Sequence, residues 1–179
     1  MYTDTHLLAE KLVGGLKQAL DQTRPTDLLS IRSIYLSGSY PRGDWLDSSS
    51  DLDITMTIEF RQPVGKQKKR VSDVENAFAI INSRTFTLLE EIEAIKKAGL
   101  AKGGSLDNAV VIGMDEIVNP QGLRYRKELV NHKILDLIGD LYTSGYRIMG
   151  KVEAFKTGHH LNNLLLKELF SNPDNYDIY

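Results

Sequence analysis

The stretch Asn131–Asn163, NHKILDLIGDLYTSGYRIMGKVEAFKTGHHLNN, decides how the chain is read, because it joins metal-ligand spacing, a helical apolar face and a second histidine. On a helix, His132, Asp136 and Asp140 recur at i, i+4 and i+8 and share one polar stripe. Ile134, Leu135, Leu137, Ile138, Leu141 and Tyr142 cover the opposite arc, so one side packs and the other is free for chemistry. An imidazole and a carboxylate one turn apart reach a single Zn²⁺, which takes nitrogen and oxygen ligands and keeps a position for water when it is catalytic. Two ligands alone do not make a site, and His132, Lys133, Asp136 and Asp140 suit a solvated surface helix equally well.

Working outward, the motif H-K-I-L-D-L-I-G-D-L-Y (132–142) is followed by K-T-G-H-H-L-N-N (156–163) and preceded by S-R-T-F (83–86), K-G-G-S-L-D-N-A-V-V (102–111) and N-P-Q-G-L-R-Y (119–125). In this order the motifs closely resemble the second half of the LpxC family, the zinc-dependent deacetylases of UDP-3-O-acyl-N-acetylglucosamine in lipid A synthesis. The resemblance runs from Asp53 to Pro173. It implies that His132 and Asp136 are zinc ligands and that Asp140 orients His159. Protonated, His159 then stabilises the oxyanion and helps the amine leave, as a cation beside developing negative charge does. It further implies that Lys133 and Lys156 contact the diphosphate of a UDP-linked acyl-glucosamine as point charges. The Thr85 hydroxyl would lie near the reacting water and Phe86 against substrate. Taken alone, Thr85 reads as a helix N-cap and Phe86 as core. The segment Thr143–Phe155 corresponds to the family's insert along the acyl chain, where Tyr146, Ile148, Met149 and Val152 would serve.

The departures carry equal weight. The family's first domain supplies a third zinc ligand, a histidine, and the neighbouring glutamate that acts as base, and neither has a counterpart here. The remaining histidines, His6 and His160, lie in no similar motif. Asn131 stands where the family usually has arginine, and His160 where it usually has a small residue. The expectation is therefore a zinc site incomplete in this chain, with a second chain as a possible source of the missing ligand and base.

A second resemblance sits upstream. Y-L-S-G-S-Y-P-R-G-D-W-L-D-S-S-S-D-L-D-I-T-M (35–56) is similar to the opening signature of minimal nucleotidyltransferases. It implies that Gly38 and Ser39 approach a nucleotide phosphate while Asp51 and Asp53, alternate residues on one strand face, hold Mg²⁺. The bland alternative is that Asp51 and Asp53 belong to an ordinary hairpin. The two resemblances meet near residue 52, so the expected organisation is an N-terminal segment 1–52 and an LpxC-like domain 53–179.

Composition narrows the class. With 41% hydrophobic and 26% charged residues in 179, the chain can bury one or two modest cores. A net charge of −2 and a pI near 6.1 give no electrostatic case for nucleic acid. The absence of cysteine excludes thiolate metal sites and disulfides, no apolar run has the length of a membrane span, and the expected location is cytoplasmic.

Periodicity predicts a helix over 4–22, strands over 31–36, 53–60 and 109–113, and a shorter strand ending at Val118. It also predicts a helical turn within 73–81 and a helix over 85–98 stopped by Gly99. The last elements are a strand near 151–155 and a helix over 161–170. Lys66–Arg70 (KQKKR) reads as a solvated loop. The sum is an α+β fold with helices packed on a mainly antiparallel sheet.

Overall fold

β2 (Leu52–Glu59) alternates Ile54, Met56 and Ile58 with Asp53, Thr55 and Thr57, and the first set is buried while the second is half-buried. That period of two is what a strand with one core face requires. In the computed structural model, which describes residues 28–37, 52–72, 77–176 and 178, β2 lies inside a four-stranded sheet of order β1-β6-β2-β3. β1 (Leu28–Ser37) runs antiparallel to β6 (Arg147–Phe155), with Leu28 opposite Phe155 and Ser37 opposite Arg147. β2 runs parallel to β6, from Leu52 beside Gly150 to Thr57 beside Phe155. β3 (Lys66–Val71) closes the edge as the antiparallel partner of β2. Residue 52 thus opens β2, which pairs with β6 on one side as β1 does on the other. The expected helix over 4–22 lies outside the described residues.

Helices cover one face of this sheet. α1 (Ala77–Ile81) is short; α3 (Glu128–Tyr142) and α4 (His159–Ser171) are the long ones. Leu129, Ile134, Leu137 and Leu141 of α3 meet Leu161, Leu165 and Leu169 of α4 in one buried cluster with Ile54, Met56, Ile58, Val152 and Ala154 of the sheet. Leu137 is completely buried. Leu137→Ala is expected to cost about 2–5 kcal/mol, the lost transfer energy plus the cavity. A urea titration checks this, and a loss below about 1 kcal/mol would place Leu137 outside the core.

Four expectations are corrected. Lys66–Arg70 is not a loop but most of edge strand β3. Five polar residues carry no apolar alternation, yet pairing with β2 supplies the ladder, and lysines on an exposed edge discourage pairing with another chain. Residues 85–98 are not one helix. Thr85–Leu88 forms strand β4, a 3₁₀ turn follows at Leu89–Glu91, and α2 covers only Ile92–Lys97. The β-branched and aromatic Thr-Phe-Thr run pairs parallel with β5 (Ala109–Ile112), which prevails over its helical stripe. Two of the three pairings in the main sheet are antiparallel and one is parallel, so the α+β fold on a mainly antiparallel sheet stands, but Val118 ends no strand and follows a single bridge, Ile112 to Ile117. Finally, the apolar arc of α3 is narrower than its sequence, since Tyr142 is 82% exposed.

The stop after α2 is as expected. Gly99 takes φ +70°, and the Gly99 and Leu100 amides return to the Lys96 and Ile95 carbonyls, closing the helix end with a residue free of a Cβ penalty.

Candidate metal and substrate site

The polar stripe of α3 faces the start of α4. His132 directs Nδ1 at the Ser83 carbonyl oxygen, 3.1 Å away. A carbonyl only accepts, so Nδ1 carries the hydrogen and Nε2 of the neutral ring is a bare lone pair. That lone pair faces Asp136 Oδ1 at 3.3 Å. Two acceptors at this separation repel unless a cation or a proton lies between them. Ligands at 2.0–2.2 Å from a tetrahedral zinc are about 3.4 Å apart, so the pair has the spacing of one tetrahedral edge. The donor set fits Zn²⁺ as two of its ligands. Lys133 Nζ donates to the other oxygen, Asp136 Oδ2, at 2.7 Å and leaves Oδ1 free for a single-oxygen contact.

His159 opens α4 and is held from α3. Its Nδ1 lies 2.9 and 3.0 Å from the two oxygens of Asp140, and its Nε2 lies 3.9 Å from Asp136 Oδ1. The ring is 73% exposed, open to a ligand on the side away from Asp140. Phe86 on β4 stands edge-on to the His132 ring, with centroids 6.3 Å apart, and Phe60 packs edge-on behind it at 5.4 Å. Thr85 is exposed at the start of β4, two residues beyond the carbonyl that holds His132.

Of the residues singled out in the sequence, the structure gathers His132, Lys133, Asp136, Asp140 and His159, with Phe86 against them. Lys156 has other partners: its ammonium is 3.5 Å from Glu59 and 5.3 Å from the Phe155 ring centroid. Of the nucleotidyltransferase-like signature, Gly38, Ser39 and Asp51 lie outside the described residues. Asp53 accepts from Arg70 at 3.0 Å on the β2–β3 ladder. Among the described residues no group of three or more His, Cys, Asp and Glu is disposed to hold a metal. A cleft of about 350 Å³ between β3 and the start of α3, lined among others by Lys66, Lys68, Arg126 and Lys127, includes none of the gathered residues in its lining.

Sequence reasoning missed what holds the stripe in place. Glu128, one turn before His132, is fully buried and accepts four hydrogen bonds: from Arg84 N at 3.0 Å, Nε at 2.8 Å and Nη2 at 3.1 Å, and from Arg124 N at 2.6 Å. Arg84 Nη2 also donates to the Gly122 carbonyl at 2.7 Å. Because Ser83 adjoins Arg84, this pair fixes the carbonyl that sets the His132 tautomer. Burial pushes the Glu128 carboxyl up, but the hydrogen bonds from Arg84 and Arg124 and the guanidinium charge outweigh it and hold it below its ordinary value. The available signal was a glutamate on the buried side of an amphipathic helix, which needs a partner. Asn131, also buried, accepts from Lys69 Nζ at 2.6 Å.

These features define an α+β domain with a histidine–aspartate pair on one helix and a second histidine beside it. Residues 20–171 match the family model described as UDP-3-O-acyl N-acetylglycosamine deacetylase (LpxC), and the chain belongs to that family. It is 44% identical to the UDP-3-O-acyl-N-acetylglucosamine deacetylase of Aquifex aeolicus over 86% of this chain and 54% of that protein. It is 43% identical to the protein of the same name from Bdellovibrio bacteriovorus over 70% of this chain and 42% of that one. With the corresponding Psychrobacter cryohalolentis protein, identity reaches 52% over 54% of this chain and 30% of the other. The chain thus spans about half or less of the length of these relatives. Among the described residues, no helix is long and apolar enough to cross a membrane.

Proposed function

We propose that this chain carries the second half of a zinc-dependent deacetylase site for UDP-3-O-acyl-N-acetylglucosamine, with His132 and Asp136 as its metal ligands. The observation that carries this reading is the bare Nε2 of His132 facing Asp136 Oδ1 at 3.3 Å, an arrangement of acceptors that asks for a cation. A bound Zn²⁺ would supply Lewis acidity to the attack of water on the acetamide carbonyl. His159, protonated and steadied by Asp140, donates from Nε2 to the oxygen on which charge develops, then gives its proton to the departing amine. Lys133 attracts the diphosphate, Lys156 extends that charge, and Phe86 and Thr85 border the reacting group. The third ligand and the base come from the part of the relatives' length that this chain does not span. A cytoplasmic location accords with a cysteine-free chain. The Mg²⁺-dependent nucleotidyl-transfer reading rests on its signature alone, because Asp53 Oδ2 pairs with Arg70 and the family match runs across residues 35–56.

The test joins the chain to the first half of the Aquifex aeolicus relative and assays deacetylation with one equivalent of zinc. Turnover is expected, falling about 10²–10⁴-fold in His159→Ala, the range for loss of a general acid. Binding of the substrate without turnover, in a fusion whose Aquifex-only counterpart is active, would leave a binding module and overturn the proposal.

A further inference from the structure

Asn162 sits on the buried face of α4 with Leu161, Leu165, Leu166 and Leu169, and is itself completely buried. A leucine, branched in the same way, would continue that face. The amide instead donates from Nδ2 to Asp140 Oδ2 at 2.7 Å, while its own Oδ1 is buried with no hydrogen-bond partner among the described residues. The orientation follows from chemistry, since an ionised carboxylate only accepts and must meet the nitrogen. A buried carbonyl left unsatisfied weakens a fold relative to an apolar residue of the same shape. Packing therefore does not account for an asparagine here; the donor it supplies to Asp140 does.

His159 and Asn162, three residues apart on the first turn of α4, both reach the same carboxylate on α3. We propose that Asn162 is a positioning residue: it anchors Asp140 so that His159 keeps Nδ1 on that carboxylate and presents Nε2 toward Asp136. Without the anchor, the Asp140 side chain is free to turn about its own torsions, and the exposed His159 ring follows it. The inference rests on the role proposed above for His159, and its test is made without metal, so that its outcome does not depend on zinc binding.

The test uses the metal-free chain with ¹⁵N-labelled histidine, whose four imidazoles give resolvable two-bond ¹H–¹⁵N patterns. At a pH where the rings are neutral, the unsubstituted protein is expected to show His159 with its hydrogen on Nδ1. In Asn162→Leu, which keeps the branched shape and removes the donor, and in Asn162→Ala, the ratio of Nδ1–H to Nε2–H at His159 should fall at least threefold. His132, fixed by the Ser83 carbonyl, should keep its pattern in both. An unchanged His159 ratio in either folded variant overturns the proposal. Loss of folding in both variants would assign Asn162 to the fold and overturn it too.

Discussion

Glu128→Ala is expected to destabilise the domain by about 3–5 kcal/mol, the usual cost of removing one partner from a buried ion pair. Both side chains are almost fully withdrawn from solvent, at 1% and 0% exposure, so the guanidinium left behind has no water to turn to. The Arg84 and Arg124 amides that Glu128 accepted lose their acceptor as well. Arg84→Met combined with Glu128→Leu should recover much of the loss, because replacing both charges with apolar groups of similar size is often neutral or better. Equilibrium unfolding of the three proteins decides this. A loss under about 1 kcal/mol for the single variant would show that the pair does not hold the start of α3 to β4.

The same pair makes a pH prediction with a definite sign. The folded carboxyl of Glu128 lies below its ordinary value of 4.5, so its contribution to stability is fully present above 4.5. It is lost as pH falls below 4.5 through the folded value, where the native state must take up the proton. The stability difference between the unsubstituted protein and Glu128→Gln should therefore be constant from neutral pH down to about 5 and shrink below that. A difference that grew on acidification would contradict the assignment.

The second large effect is on zinc. His132→Ala should weaken Zn²⁺ binding at least about 100-fold, since disturbing even the hydrogen-bond partners of a metal ligand costs 10–100-fold. Asp136→Asn should also weaken it, but less, because an amide oxygen still reaches the same place without the charge. In that variant Lys133 loses its ion-pair partner at 2.7 Å. Competition against a chromophoric chelator measures all three affinities. Equal affinity in His132→Ala would remove that residue from the ligand set.

How much of this was legible depends on where each signal lives. The alternation of β2 and the stripes of α3 and α4 are local patterns, and the strand and helices stand where periodicity puts them. The His132–Asp136–Asp140 stripe is local too, and with the K-T-G-H motif it named most of the gathered side chains. What the sequence hides is long-range. Nothing within KQKKR announces a strand, because its pairing is with β2 across a turn. Thr85–Leu88 carries both a helical stripe and β-branched residues, and only β5 as a neighbour decides between them. Arg84 and Glu128 lie 44 residues apart, and Asn162 reads as one more polar residue in a helix until Asp140 is placed beside it.

The most direct measurement is X-ray absorption at the zinc edge on the chain loaded with one equivalent of metal, where imidazole rings are counted by their outer-shell scattering. His132 should contribute the single imidazole, within a shell made only of nitrogen and oxygen, and that scattering should vanish in His132→Ala and persist in His159→Ala. Two imidazoles, or one that persists in His132→Ala, would mean that His159 or another ring holds the metal, and the assignment of roles along α3 and α4 would be wrong.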